Sequence, residues 1–177
     1  MAEDTRASAD DLRRALLDQL AYLIDEVEAL KAVVDRVPEP LQAARPLEED
    51  LSLKEIYGML VTLDEAVHLP RLRRMVAEDE PAFDAVEAAS LVRAAGWNEQ
   101  PILAILDRVQ QTRRDLLSFI SVLPAGAWTS TAYIGAVRSD VYGLAHAITQ
   151  QDVDLLRMIG YRLHESHLTR RAEDLPK

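Results

Sequence analysis

The chain has 177 residues, of which 49% are apolar, 28% charged and 5% aromatic, and this suits one compact domain over 1–177 rather than a collagen-like or low-complexity chain. Strands favour aromatic and β-branched residues, so a chain rich in Ala, Leu, Glu, Asp and Arg is expected to be helical. The net charge of −10 argues against a protein that binds nucleic acid, because phosphate backbones attract clustered Lys and Arg.

The first predicted helix spans 9–37 and has apolar residues at alternating spacings of three and four, as in a helix that packs along one side. These residues are Leu16, Leu20, Leu23, Val27, Leu30, Val34 and Val37. Ser8 and Asp11 resemble an N-cap pair, and Pro38 is expected to end the helix. The preceding residues, 1–8, are predicted to fray.

The second predicted helix begins at the sequence SLKE, residues 52–55, which is a capping box. Its inward residues are Ile56, Leu60, Leu63 and Val67. Pro70 is expected to kink or break this helix, with a continuation over 71–78. A short extra helix, ended by Gly96, is predicted between the second and third long helices.

Two more long helices are predicted, the third with Asn98 as its N-cap and the fourth starting at Ser139 or Asp140. Their inward residues are Ile102, Ile105, Val109, Leu116, Ile120 and Leu123, then Val141, Leu144, Ile148, Gln151, Leu155 and Met158. The tail over 165–177 is predicted to fray. Without strand alternation or an internal repeat, four amphipathic helices predict an all-α four-helix bundle. The long first and third connections argue against a simple up-down-up-down order, although periodicity alone leaves the connectivity open.

The chain contains no cysteine, which excludes disulfides, thiolate nucleophiles and cysteine zinc sites and fits a reducing cytoplasm. The acidic, polar start, MAEDTRASADD, lacks the pattern of a secretory signal. No apolar stretch approaches the ~20 residues of a membrane span. We therefore expect a soluble cytoplasmic protein that binds neither nucleic acid nor a membrane.

Histidines are the first candidates for a metal site, because helical bundles build such sites from inward His and carboxylates. His68 follows Asp64 by four residues and Glu65 by three. Two functional interpretations are a pair of metal ligands with Asp64 and, with Glu65, half of a di-iron motif. The motif has no second copy, and His68 lies off the inward face of its helix. The spacing therefore favours a pair of side chains on the helix surface.

The fourth helix carries further polar candidates. His146 points away from the inward face and is interpreted as a surface or interface residue, with metal ligation as the alternative. Asp152 and Asp154 are either general bases or, as favoured on so acidic a helix, surface charges. Gln151 is an amide among inward apolar residues, and if buried it needs hydrogen-bond partners. It either sets the helix register, lines a cavity or replaces a former functional group.

Three segments then suggest a family. They are LSLKEIYGMLVTLDEAVHLPRLRRMVAEDEPAF, GWNEQPILAILDRVQQTRRDLLSFISVLPAGAWTSTA and SDVYGLAHAITQQDVDLLRMIGYRL. In order and spacing they resemble the second helix, the third helix with its following loop, and the fourth helix of the DinB/YfiT-like superfamily, helical bundles described as metal-dependent enzymes. The resemblance covers most of the chain beyond residue 38. It implies an up-down-down-up four-helix bundle, often a homodimer.

The resemblance also implies where a metal would bind. Family members that carry a metal use one His of the second helix and two of the fourth. The matching positions here hold Met59, Gln151 and Leu155. Leu cannot ligate, and Met and Gln are poor ligands for divalent zinc or nickel. We therefore predict a vestigial site and no metal cofactor, with a zinc, nickel or iron ion as the alternative.

Three functions compete at this stage. The favoured one is a binding or structural bundle that has lost the metal and forms a homodimer, in which Leu17, Ala21 and Ile24 suggest a second buried stripe. The alternative is an enzyme, a metal- or thiol-dependent S-transferase or a hydrolase of small molecules, with a site that no motif identifies. The third is a module that binds another protein through the acidic N-terminal part.

Overall fold

The computed structural model describes the backbone of residues 2–173 and the side chains of 9–167. The described helices are α1 (Ala2–Asp35), α2 (Glu39–Gln42), α3 (Leu53–Leu63), α4 (Leu69–Ala77), α5 (Ala88–Ala94), α6 (Ile102–Ile120) and α7 (Val141–Glu173). A π-helical turn, Asp64–His68, joins α3 to α4, so the two form one long helix. Short 3-10 turns occupy Trp97–Glu99 and Ala125–Thr129.

Several helix ends follow their predicted signals. Ser52 caps α3 in a capping box, because its hydroxyl accepts from the Glu55 amide and the Glu55 carboxylate accepts from the Ser52 amide. Gly96 follows α5 with a φ of 66°, a left-handed conformation that suits glycine. The Asp140 carboxylate accepts from the Gly143 amide at 2.7 Å at the start of α7. These local contacts confirm the predicted starts of α3 and α7.

Other ends differ from the sequence prediction. The first helix begins at Ala2, so Ser8 lies inside it rather than at its N-cap, because the preceding Ala, Glu, Asp and Arg residues continue the helix. Asn98 does not cap α6, whose N-cap is Pro101, because Asn98 lies in a 3-10 turn and its side-chain oxygen accepts from Ser52. The backbone is helical over 2–8 and 165–173, and the fraying of both tails stays a prediction; residues 1 and 174–177 lie outside the described residues.

The connectivity of the four long helices is crossed. The first helix, α1, packs against α6 and α7, and α3 packs against the same two, so α1 and α3 lie diagonally across the bundle. Two contacts in each helix pair fix the relative directions. Between α1 and α6 they are Leu20–Arg113 and Lys31–Asp107. Between the α3–α4 helix and α7 they are His68–Gln151 and Leu51–Arg162, and between the α3–α4 helix and α6 they are Glu65–Arg108 and Arg73–Phe119. By these contacts α1 is antiparallel to α6, the α3–α4 helix is antiparallel to α7, and the α3–α4 helix is parallel to α6. The up-down-down-up order implied by the resemblance is confirmed.

A small sheet interrupts the otherwise helical chain. Its strands are β1 (Ala82–Phe83), β2 (Thr131–Ile134) and β3 (Val137–Asp140), in the order β1-β2-β3. The β2–β3 pair is an antiparallel hairpin, and Gly135 has a φ of 58° in its two-residue turn. The strands are too short to produce an alternation that sequence analysis detects, so this sheet was not predicted.

The bundle interior consists of two apolar clusters. The first includes Leu23, Val27, Leu60, Val109 and Leu155, and the second includes Leu16, Leu20, Leu116, Ile120 and Ile148. Both follow the predicted inward residues of the long helices, which confirms the helical periodicity as the source of the core. The prediction is wrong for Met158, which is exposed near the end of the predicted inward face of α7. Within the described part of the chain, no helix is apolar over a length sufficient to cross a membrane.

Gly58 lets a tryptophan approach the backbone of α3. A Cβ atom at this position would overlap the ring of Trp97, which is buried and donates from Nε1 to the Thr62 hydroxyl at 3.2 Å. Glycine at this helix position is therefore required by packing, at the expense of about 1 kcal/mol of helix propensity. In this way the loop before α6 is anchored to the bundle.

We expect Gly58→Ala to lower the free energy of unfolding by about 1–2 kcal/mol, since overpacking costs about 1–3 kcal/mol and the helix propensity of alanine recovers up to about 1 kcal/mol. The matched control is Gly160→Ala in α7, where a Cβ atom meets nothing within 4 Å. This second change is expected to stabilise the protein by up to about 1 kcal/mol. Urea denaturation measures both, and equal effects of the two substitutions would contradict the packing argument.

Candidate functional site

A layer of polar side chains separates the two apolar clusters. We call it the polar layer, and its members are Asp64, His68, Arg113, Gln151 and Asp152. Arg113 follows Val109 of the first cluster and precedes Leu116 of the second, and Asp152 falls in the same way between Ile148 and Leu155. All members except the half-buried Gln151 are buried. Because buried polar groups are costly without partners, the contacts within this layer decide what it can do.

The π-helical turn brings two members of the layer to the inward face. The amide of Leu69 donates to the carbonyl of Asp64, five residues earlier, where an α-helix would use a spacing of four. A π-turn holds more residues than an α-turn, so it rotates His68 back toward the interior. The prediction of a surface pair is therefore wrong for both residues: Asp64 and His68 are buried, and each contacts another helix. The predicted partner Glu65 is exposed and pairs with Arg108.

Arg113 lies at the centre of the layer and reaches three other helices. Its Nε and Nη2 donate to the two carboxylate oxygens of Asp64 at 2.9 and 3.3 Å. On the other side Nη1 and Nη2 donate to the two oxygens of Asp152, the latter at 2.8 Å. Nη1 also donates to the Leu20 carbonyl at 3.5 Å. All five guanidinium hydrogens therefore have an acceptor, and α1, the α3–α4 helix and α7 are joined through a side chain of α6.

The electrostatics of this triad follow from burial and pairing. Burial raises the pKa of Asp64 and of Asp152, and the adjacent guanidinium offsets this rise only in part. Burial alone would lower the pKa of Arg113, but the two carboxylates raise it, so the guanidinium stays charged. With both carboxylates ionised, the layer holds one more negative charge than Arg113 balances.

His68 is the other ionisable member of the layer. Its Nε2 lies 3.1 Å from Oε1 of Gln151, so Nε2 carries the proton and donates to the amide oxygen. Nδ1 is buried and has no hydrogen-bond partner among the residues whose side chains are described. Burial lowers the pKa of His68 to about 4, assisted by the charge of Arg113 and opposed by that of Asp152. The imidazole is therefore neutral at pH 7 and presents an unshared lone pair at Nδ1.

The residues at the predicted vestigial positions have surroundings of two kinds, apolar for two of them and polar for the third. Met59 and Leu155 are buried in the first apolar cluster, and Gln151 instead hydrogen-bonds His68. The partner that a buried amide was expected to need is thus a histidine of the second long helix. Mapping the three positions onto a former metal site stays a prediction.

The remaining candidates of the fourth helix divide between surface and interior. His146 is exposed, and Asp154 is exposed and pairs with Arg157, in agreement with their predicted surface placement. The same prediction is wrong for Asp152, which is buried because Arg113 supplies a cation inside the bundle. The missed residue is Arg113 itself. It lies four residues after Val109 and three before Leu116, so its inward position was readable from the spacing.

Comparisons with known proteins bear on the fold. No protein-family model matches the sequence, and no curated protein matches it. Among solved structures the chain is similar to YfiT from Bacillus subtilis, described as "a probable metal-dependent hydrolase with an unusual four-helix bundle topology". The TM-score is 0.64 at 11% identity, over 84% of this chain and 87% of that chain. This chain has the DinB/YfiT-like four-helix fold.

A metal, as the description of YfiT names, needs a set of donor side chains that converge on one point. Leu155 and Met59 lie in an apolar cluster and offer at most a thioether, which is a poor donor for hard or borderline divalent ions. Among the side chains that the structure describes, no group of three or more His, Asp or Glu residues could hold a metal ion. The two carboxylates of the polar layer already bind the guanidinium of Arg113. The donor set of residues 9–167 therefore does not fit such a metal.

Proposed function

We propose that this protein is a metal-independent member of the DinB/YfiT-like fold that serves as a homodimeric binding or structural bundle. The observation that carries this proposal is the pairing of Arg113 with both Asp64 and Asp152 in the interior. A cation that belongs to the chain already neutralises the carboxylates that would otherwise attract a metal. The fold can therefore form without an exogenous ion.

The polar layer is also poorly placed for catalysis. A general base must come within hydrogen-bond distance of a substrate proton, directly or through one water. His68 is only 7% exposed, and its two neighbours along the helix, Val67 and Leu69, are apolar. These features favour a role in holding the helices together over a role in chemistry.

A ligand would find its access to this layer between α1 and α7. A groove of about 210 Å³ lies there, lined by Gln19, Tyr22, Leu23, Thr149, Gln150, Asp152, Val153 and Leu156. Its walls combine apolar surface with two amide side chains, two hydroxyls and a carboxylate, the mixture that small-molecule sites use for binding and orientation. Asp152 connects the groove to the polar layer.

Metal analysis tests the proposal directly. We expect protein purified without chelators and dialysed to contain no stoichiometric zinc, nickel or iron by inductively coupled plasma mass spectrometry. Dialysis against EDTA is expected to leave the midpoint of thermal unfolding unchanged, because the interior cation is covalently part of the chain. About one retained metal ion per chain would overturn the proposal. It would favour the alternative of a metal-dependent enzyme, either a hydrolase, as YfiT is described, or an S-transferase.

The homodimer is proposed to use the outer face of α1 and α7. The predicted stripe of Leu17, Ala21 and Ile24 is half-buried within one chain and presents little surface to a partner. Tyr22 and Val153 are 58% and 50% exposed on either side of the groove between α1 and α7. Aromatic and aliphatic side chains at such a groove suit a symmetric interface.

Light scattering at micromolar concentration is expected to give twice the mass of one chain. The double variant Tyr22→Asp/Val153→Asp is expected to be monomeric, because charges buried in an interface without partners are strongly unfavourable. Val122→Asp is the matched control, since Val122 is 77% exposed just after α6, away from this groove. A monomeric wild type would refute the dimer, and a dimeric double variant would refute the interface.

A further inference from the structure

The guanidinium of Arg113 fills a site that is lined by oxygen atoms from three helices. The acceptors are four carboxylate oxygens, two each from Asp64 and Asp152, and the main-chain carbonyl of Leu20. Both carboxylates belong to helical segments rather than loops, and both are buried. The site is thus built into the frame of the bundle and does not depend on a mobile segment.

The charge of this site is only partly balanced by its occupant. When both carboxyls are ionised they contribute two negative charges, and the guanidinium contributes one positive charge. His68 makes no ion pair among the described residues, and its Nε2 bonds the neutral amide of Gln151. A divalent ion would balance the carboxylates more completely than Arg113 does.

We propose that Asp64, Asp152 and the Leu20 carbonyl form a cation site that Arg113 occupies as a built-in cation, and that this site binds a divalent ion when the guanidinium is removed. The inference rests on the proposed function, in which the native protein needs no metal. The site differs from the vestigial positions, since it includes neither Met59 nor Leu155. Arg113 thereby makes the cross-link between helices permanent and independent of metal supply.

The donor chemistry selects the ion. All the donors are carboxylate or carbonyl oxygens, which calcium prefers, and calcium accepts irregular coordination by six to eight oxygens. Magnesium demands near-ideal octahedral geometry and gives up its waters reluctantly. We therefore expect the vacated site to bind calcium better than magnesium, with water completing the coordination.

The test uses Arg113→Ala in the full chain. Calcium at about 100 times its dissociation constant is expected to raise the midpoint of thermal unfolding of this variant by roughly 5–10 °C. Isothermal titration calorimetry is expected to find one calcium site in the variant and none in the wild type. Ethylguanidinium, which replaces the deleted cation, is expected to stabilise the variant as well.

Three matched variants make the test specific. Arg113→Ala/Asp152→Asn lacks one carboxylate and is expected to lose the calcium response. Arg113→Lys keeps a cation in the site and is expected not to bind calcium. Arg108→Ala removes a neighbouring exposed arginine of the same helix, which pairs with Glu65, and is expected to show no calcium response.

If Arg113→Ala is unfolded without ligand, circular dichroism measures its refolding on addition of calcium. Refolding with calcium that is absent in Arg113→Ala/Asp152→Asn supports the cation site. No refolding and no thermal shift with calcium, whatever ethylguanidinium does, overturns it. A missing calcium response leaves the proposed function intact. Conversely, metal in the purified wild type overturns the proposed function but does not affect the calcium response of the variant.

Discussion

Replacing Arg113 by methionine is expected to lower the free energy of unfolding by about 3–5 kcal/mol. Methionine keeps an unbranched apolar stem in the space of the arginine but deletes the charge and all five hydrogen bonds. Asp64 and Asp152 are then buried close together without a cation, and one or both must take up a proton or become exposed to solvent. Chemical denaturation of wild type and variant at pH 7 measures the loss.

Two further variants separate the network from a general effect of losing an arginine. Arg108→Met deletes the ion pair with Glu65, in which both side chains are more than 40% exposed, and is expected to cost less than about 1 kcal/mol. Replacing Arg113, Asp64 and Asp152 together by methionine and two leucines removes every unpaired charge. This triple variant is expected to recover most of the stability lost by Arg113→Met, since apolar replacements of buried ion pairs are often neutral or stabilising. A loss below about 1 kcal/mol for Arg113→Met would contradict the assigned role of the guanidinium.

The wild-type protein is expected to lose about 3 kcal/mol of stability between pH 6.5 and pH 4 through His68 alone. Its pKa falls from the ordinary value of 6.5 to about 4 on folding, because burial and Arg113 disfavour the imidazolium. In this pH range the unfolded chain binds a proton that the folded chain does not. The stabilising contribution is therefore complete above pH 6.5 and is lost as the pH falls towards 4.

Comparison of histidine variants isolates this contribution from the carboxylates, which titrate in the same range. In His68→Gln the free energy of unfolding is expected to fall less steeply with decreasing pH than in the wild type. From neutral pH to pH 4, the variant should lose about 3 kcal/mol less than the wild type. His146→Gln is the matched control, because His146 is exposed on α7, and its pH profile should follow that of the wild type. Parallel profiles for all three proteins would show that His68 ionises freely in the folded state.

The four long helices and most of their apolar core could be predicted from the sequence. The spacing of residues such as Leu20, Leu60 and Leu155 requires one apolar side on each helix, and these residues are buried as predicted. Several helix ends could also be predicted from local residues, since the capping box of Ser52 and Glu55 involves residues within one turn of the helix. Patterns of this kind depend on neighbours in the chain, so they can be read without knowledge of the fold.

The polar layer was decided by the tertiary structure. His68 becomes buried only because a π-helical turn rotates it inward, a change of helix geometry that regular periodicity does not express. The spacing of Asp152 from Ile148 and Leu155 places it on the inward side of α7, unlike the exposed Asp154, but an ionised carboxylate can stay buried there only because α6 brings Arg113 against it. A charge can enter the interior when its counter-charge arrives from another helix, and that pairing depends on how the four helices are arranged in space.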